Sequence, residues 1–131
     1  MKTVITFGTF DVFHIGHLNI LRRAATLGDR LVVGVSTDEL NMSKKSRAPV
    51  YPTAERMAIV AAIDCVDEVF PEESLDEKAE YIRRYKADVL AMGDDWKGRF
   101  DMFSDICEVI YFPRTEGIST TEVMAKIRKY G

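Results

Sequence analysis

The stretch that decides the fold runs Val4-Ile5-Thr6-Phe7-Gly8-Thr9-Phe10-Asp11-Val12-Phe13-His14-Ile15-Gly16-His17. Its first four residues are β-branched or aromatic and end at Gly8, which reads as a short buried strand. From Gly16 to Leu27, Leu18, Ile20, Leu21, Ala24, Ala25 and Leu27 recur at helical spacing. Gly28 then stands where a helix C-cap belongs. Arg30 to Ser36 (RLVVGVS) is a second buried strand. A strand, a glycine-bearing polar segment, a helix and a second strand make one βαβ unit.

The pattern repeats along the chain. Asp38 to Val50 is polar and lysine-bearing and reads as a loop. A helix is expected from Pro52 to about Ile63, and a third strand from Val66 to Phe70, closed by Pro71. Leu75 to Tyr85 reads as a helix, Val89 to Met92 as a fourth strand and Glu108 to Phe112 as a fifth. Ser119 to Lys129 forms a last helix, with Ser119 or Thr120 as N-cap and Glu122 in its first turn. The expected architecture is therefore α/β: a single-domain, doubly wound (Rossmann-like) sheet of five parallel strands with flanking helices, over residues 1–131.

Composition narrows the function. With 131 residues, 47% hydrophobic and 30% charged, the chain fits one soluble domain. No apolar run reaches the roughly 20 residues that span a bilayer, so membrane insertion is not expected. A net charge of −3 argues against a nucleic-acid surface. The strand pattern beginning at Lys2 leaves no room for a signal peptide. Cys65 and Cys107 lack metal-ligand spacing and read as reduced core thiols. A cytoplasmic address follows as an expectation.

In doubly wound sheets, ligands bind beyond the carboxyl ends of the strands. The segment from Gly8 to His17 lies at that rim. Its glycines let backbone approach a phosphate, and the helix N-terminus supplies oriented amides. His14 and His17 enter the helix together and can offer hydrogen bonds to phosphate oxygens as charge builds in a transition state. A metal site is the poorer reading of this pair, for want of a third ligand. Arg114-Thr115-Glu116-Gly117-Ile118-Ser119-Thr120-Thr121 joins the fifth strand to the last helix. It offers hydroxyls beside free helical amides and a planar cation. Taken alone, it also fits a well-capped helix, with Ile118 as a packing residue. Met92-Gly93-Asp94-Asp95-Trp96 leaves the fourth strand at the same rim, where a carboxylate can bind ribose hydroxyls. The pair Asp94-Asp95 is also open to a metal.

GTFDVFHIGH resembles the HxGH signature of the nucleotidyltransferase superfamily. With MGDDW and RTEGISTT in order, nearly the whole chain is similar to the glycerol-3-phosphate cytidylyltransferases. The resemblance implies in-line attack of a substrate phosphate oxygen on the α-phosphorus of CTP, without a covalent enzyme intermediate. The product it implies is CDP-glycerol, the activated unit of polymers such as teichoic acids or capsules.

It further implies that His14, His17, Lys44 and Arg114 are catalytic. Gly8, Thr9, Phe10, Asp11, Gly16, Asp94, Arg114, Thr115, Ile118, Ser119 and Thr120 would bind nucleotide. Lys44 and Arg56 would meet the acceptor, glycerol 3-phosphate. Asp11 would orient the site or hold a metal, with Mg²⁺ as the cation that neutralises the triphosphate. Lys44 would reach the phosphates from a mobile segment whose closure excludes water. A homodimer is implied, using the surface near the second and third helices.

Two positions depart from the family pattern: Asp64 replaces an arginine and Leu75 a tryptophan. Both lie towards acceptor binding or a dimer contact. They leave open another polyol phosphate, phosphocholine or phosphoethanolamine as acceptor. ATP with flavin mononucleotide, and a sensor that binds nucleotide without turnover, are the other readings.

Overall fold

In a computed structural model describing residues 1–131, five parallel strands form one sheet in the order β3-β2-β1-β4-β5. The strands are β1 (Thr3–Gly8), β2 (Arg30–Ser36), β3 (Glu68–Glu72), β4 (Val89–Gly93) and β5 (Glu108–Phe112). The helices are α1 (Ile15–Ala25), α2 (Asp38–Lys45), α3 (Thr53–Ala61), α4 (Lys78–Arg84) and α5 (Thr120–Tyr130). No helix is long and apolar enough to cross a membrane. The doubly wound Rossmann-like expectation holds.

Alternate side chains of β1 explain the two layers. Val4 packs with Leu21, Ala24, Val33 and Val60 on one face, while Ile5 and Phe7 pack with Phe70, Tyr81 and Ile82 on the other. A strand buried on both faces must read as a continuous apolar run, and β1, β2 and β4 do. The chain order reverses at β1, which pairs with β2 on one side and β4 on the other. This is the switch point where a crevice opens.

Three local expectations are corrected. Asp38 to Val50 is not all loop, since α2 occupies Asp38–Lys45. Thr37 caps it by accepting the Leu40 N–H, Asp38 and Glu39 occupy its first turn, and Lys44 and Lys45 its last. Those charges complement the helix dipole. Pro71 does not close the third strand but sits inside β3 opposite Val35. β3 is an edge strand, where proline is tolerated. Gly28 is not the C-cap of α1; Thr26 is. Gly28 serves a close approach instead, since a Cβ there would come within 2.6 Å of the Lys2 carbonyl oxygen.

Candidate active site

A cavity of about 420 Å³ opens over the switch point, within the range of small-ligand sites. Gly8 to Asp11, His14, Gly16 and His17 line it from the β1–α1 segment. Arg114, Thr115 and Ile118 to Thr120 line it from the β5–α5 segment. Two segments a hundred residues apart in the chain thus meet at one place, as their motifs imply.

The two imidazoles are held by the helix they begin. His14 is the N-cap of α1, and its Nδ1 accepts the Gly16 N–H at 3.0 Å. His17 Nδ1 accepts the backbone N–H of His14 at 3.1 Å. This is a reciprocal capping box built from two histidines. Gly16 makes it fit, because a Cβ there would lie 2.9 Å from His14 Cε1. With each Nδ1 accepting a hydrogen bond, the neutral rings must carry their proton on Nε2. The rings stack with centroids 3.8 Å apart.

Burial holds both rings neutral. It lowers the pKa of His14, and it brings His17 down to about 4, with the His14 charge adding to the drop and Asp11 opposing it. At neutral pH the site therefore offers two uncharged Nε2–H donors. His14 Nε2 lies 3.4 Å from Thr120 Oγ, whose own proton goes to the Asp11 carbonyl at 3.0 Å. That long contact is one an incoming phosphate oxygen can displace.

A stability consequence follows. His17 takes up a proton near pH 6.5 when unfolded, but only near 4 when folded. Between those values the unfolded chain binds more protons, so stability is full above pH 6.5 and declines towards pH 4. Urea midpoints measured across this window should fall less steeply in His17→Asn than in the wild type. Equal slopes would remove His17 as the cause.

The loop carrying these rings is strained. Phe10 and Val12 have φ of +55° and +48°, costly for a bulky and a β-branched residue. The Asp11 carboxylate holds it. Its Oδ2 accepts the Val50 N–H at 2.7 Å, and its Oδ1 accepts those of Tyr51 at 2.9 Å and Val12 at 3.1 Å. Three bonds to backbone make Asp11 a latch between this loop and the α2–α3 connection. Both carboxylate oxygens, the atoms expected at a metal, accept backbone N–H groups here. No group of three His, Cys, Asp or Glu side chains is placed to hold an ion.

Arg56, expected at the acceptor, is fully buried. Its Nε donates to the Tyr51 carbonyl, its Nη1 to those of Thr9 and Ser36, and its Nη2 to the Asp38 carboxylate and the Thr53 hydroxyl. All five donors are engaged, leaving none for an acceptor phosphate. Arg56 is a brace, not a ligand.

Lys44 lies outside the cavity lining, whereas Lys45 and Arg47 are in it. The reason is α2, whose helical turn sends adjacent lysines in different directions. Partial burial lowers the Lys44 pKa; Glu72 opposes this, while Lys45, Lys78 and Arg56 add to it. The Lys44 charge thus feels the buried Lys78–Glu72 ion pair, which sequence reasoning missed. Asp94 is also outside the lining, and Asp95 takes its place. A 3₁₀ turn over Asp94–Trp96 rotates the second carboxylate inward. Ile118 packs against the first turn of α1, within 3.4 Å of the position a Gly16 Cβ would take.

Asn41 was also missed. Buried in α2, it accepts from the Thr9 hydroxyl and donates to Ser36 and Thr37. A poor helix former at a buried helical position was its only sequence signal.

A parallel sheet with paired imidazoles, a helix N-terminus on either side and free cations at its switch point defines an α/β protein built to handle nucleotide phosphates. Comparison with known proteins agrees. A cytidylyltransferase-like family model matches residues 5–126, and the chain belongs to that family. It is 50% identical to the glycerol-3-phosphate cytidylyltransferase of Bacillus subtilis, over 97% of this chain and 98% of that protein. The enzyme of the same name from Bacillus spizizenii is also 50% identical, over 94% and 95% of the two chains. Among solved structures, the lipopolysaccharide core biosynthesis protein of Thermoplasma volcanium shares the fold, with a TM-score of 0.79 and 24% identity. That match covers 88% of this chain and 99% of the other.

Proposed function

We propose that the chain transfers CMP from CTP to sn-glycerol 3-phosphate, releasing pyrophosphate and CDP-glycerol. The observation that carries this is the pair of neutral Nε2–H imidazoles at the mouth of α1, facing the N-terminus of α5 across one cavity. The near-full-length identity to enzymes of that name selects base and acceptor.

In this reading a phosphate oxygen of glycerol 3-phosphate attacks the α-phosphorus in line, and the bond to the β-phosphate oxygen breaks as the new P–O bond forms. Such transfer needs placement and charge stabilisation more than covalent chemistry. His14 and His17 donate to the triphosphate oxygens from Nε2, and being neutral they give up no proton they must recover. Lys45, Arg47 and Arg114 offset the charge of the leaving pyrophosphate. At the N-terminus of α5 the Ser119 hydroxyl takes up the Glu122 N–H, and the leading amides before it hold a phosphate oxygen.

Mg²⁺ bound to CTP supplies charge neutralisation of the polyphosphate, held by phosphate oxygens and water more than by protein. The protein is a cytoplasmic homodimer in this reading. Sedimentation at twice the chain mass tests the dimer.

An acceptor screen with CTP and Mg²⁺, detecting products by mass, tests the reaction. CDP-glycerol is expected to dominate. Product only from phosphocholine, phosphoethanolamine or another polyol phosphate would overturn the acceptor.

A further inference from the structure

Arg114 stands on a segment with little to hold it. No backbone–backbone hydrogen bond involves residues 114–118, and none of those five residues is buried. The helix that follows, α5, buries no residue either. A guanidinium on such a loop would lose entropy on ligand binding unless something else fixed its backbone.

Two side chains of α1 do so. Asn19 Nδ2 donates to Thr115 Oγ at 2.9 Å, and Arg23 Nη1 donates to the Pro113 carbonyl oxygen at 2.7 Å. Spaced four residues apart, they share one helix face, and they grip the residues immediately before and after Arg114. The same helix carries His14 and His17 at its N-terminus.

We propose that Asn19 and Arg23 are positioning residues for Arg114, setting its guanidinium and both imidazoles on one rigid body. Neither touches the cavity, so both act through the loop. The inference rests on the reading of the cavity as a triphosphate site, but not on the acceptor. Arg23 also has a surface-exposed guanidinium, so its contribution comes from the carbonyl it holds.

The test is triphosphate binding, read from the fluorescence of Trp96, the one tryptophan in the chain and a residue at the cavity wall. Asn19→Leu/Arg23→Met keeps the side-chain volumes while removing both donors. It is expected to weaken CTP binding about tenfold, in line with the cost of misplacing a binding group. In an Arg114→Ala background the same pair of changes should shift binding less than twofold. Arg23→Lys, which keeps a donor, should restore part of the loss. Equal effects in both backgrounds, or unaltered binding in a folded double variant, would overturn the proposal. A wild type that binds ATP but not CTP would sink the choice of base alone. Failure to bind any triphosphate would sink both readings.

Discussion

Replacing His14 and His17 together by alanine is expected to lower kcat by about 10³-fold or more, with the fold retained. Removing one preorganised donor to developing charge costs on the order of 10²–10³ in rate. The two rings here stack and share one capping network, so their losses should not simply multiply. Alanine also removes two hydrogen bonds at the start of α1, worth roughly 1 kcal/mol each. Asparagine at both positions separates these effects. Its side-chain oxygen can restore the caps, but it has no donor at the reach of Nε2. The asparagine pair should therefore melt near the wild type while remaining as slow as the alanine pair. Pyrophosphate release with saturating CTP, beside thermal melts, reads both. Wild-type turnover in either pair would end the catalytic assignment.

Arg56→Met should lower folding stability by about 3–5 kcal/mol, the usual cost of leaving a buried charge network without its partner. The guanidinium is fully buried and joins the β1–α1 segment at Thr9, the end of β2, the α2–α3 connection and Asp38. Its removal takes the side-chain donor from the Thr9 and Tyr51 carbonyls, leaves the Ser36 carbonyl with the Asn41 amide alone, and leaves Asp38 short of its ion partner. Lysine should not rescue, because an ammonium has three donors where five are in use. The measurement is a urea unfolding midpoint. An acceptor-binding role predicts the reverse pattern: an unchanged midpoint and a raised KM for glycerol 3-phosphate.

Most of the sheet was legible because β1, β2 and β4 are apolar on both faces and punctuated by glycine or polar turns. The helix α2 was not, since only Leu40 and Asn41 of its eight residues are buried, too few to show a period. Its signals lay in the Thr37 cap and the order of its charges. Missing that helix displaced the choice of cation, because Lys44 and Lys45 are equivalent on a loop but face different partners on a turn of helix. The same logic governs Asp94 and Asp95, which a 3₁₀ turn sorts. The histidine pair was found because spacing, glycine and position at a strand end coincide. Arg56 misled for a simple reason: a buried arginine and a phosphate-binding arginine look identical until the five hydrogen-bond partners are known.

The imidazole protons themselves are open to nuclear magnetic resonance. In ¹⁵N-labelled protein at pH 7, long-range ¹H–¹⁵N spectra should show His14 and His17 neutral, each protonated at Nε2. Both Nε2 resonances should shift when a non-hydrolysable CTP analogue is added. A proton on Nδ1 of either ring, or two rings indifferent to the nucleotide, would contradict the placement of paired donors against the triphosphate.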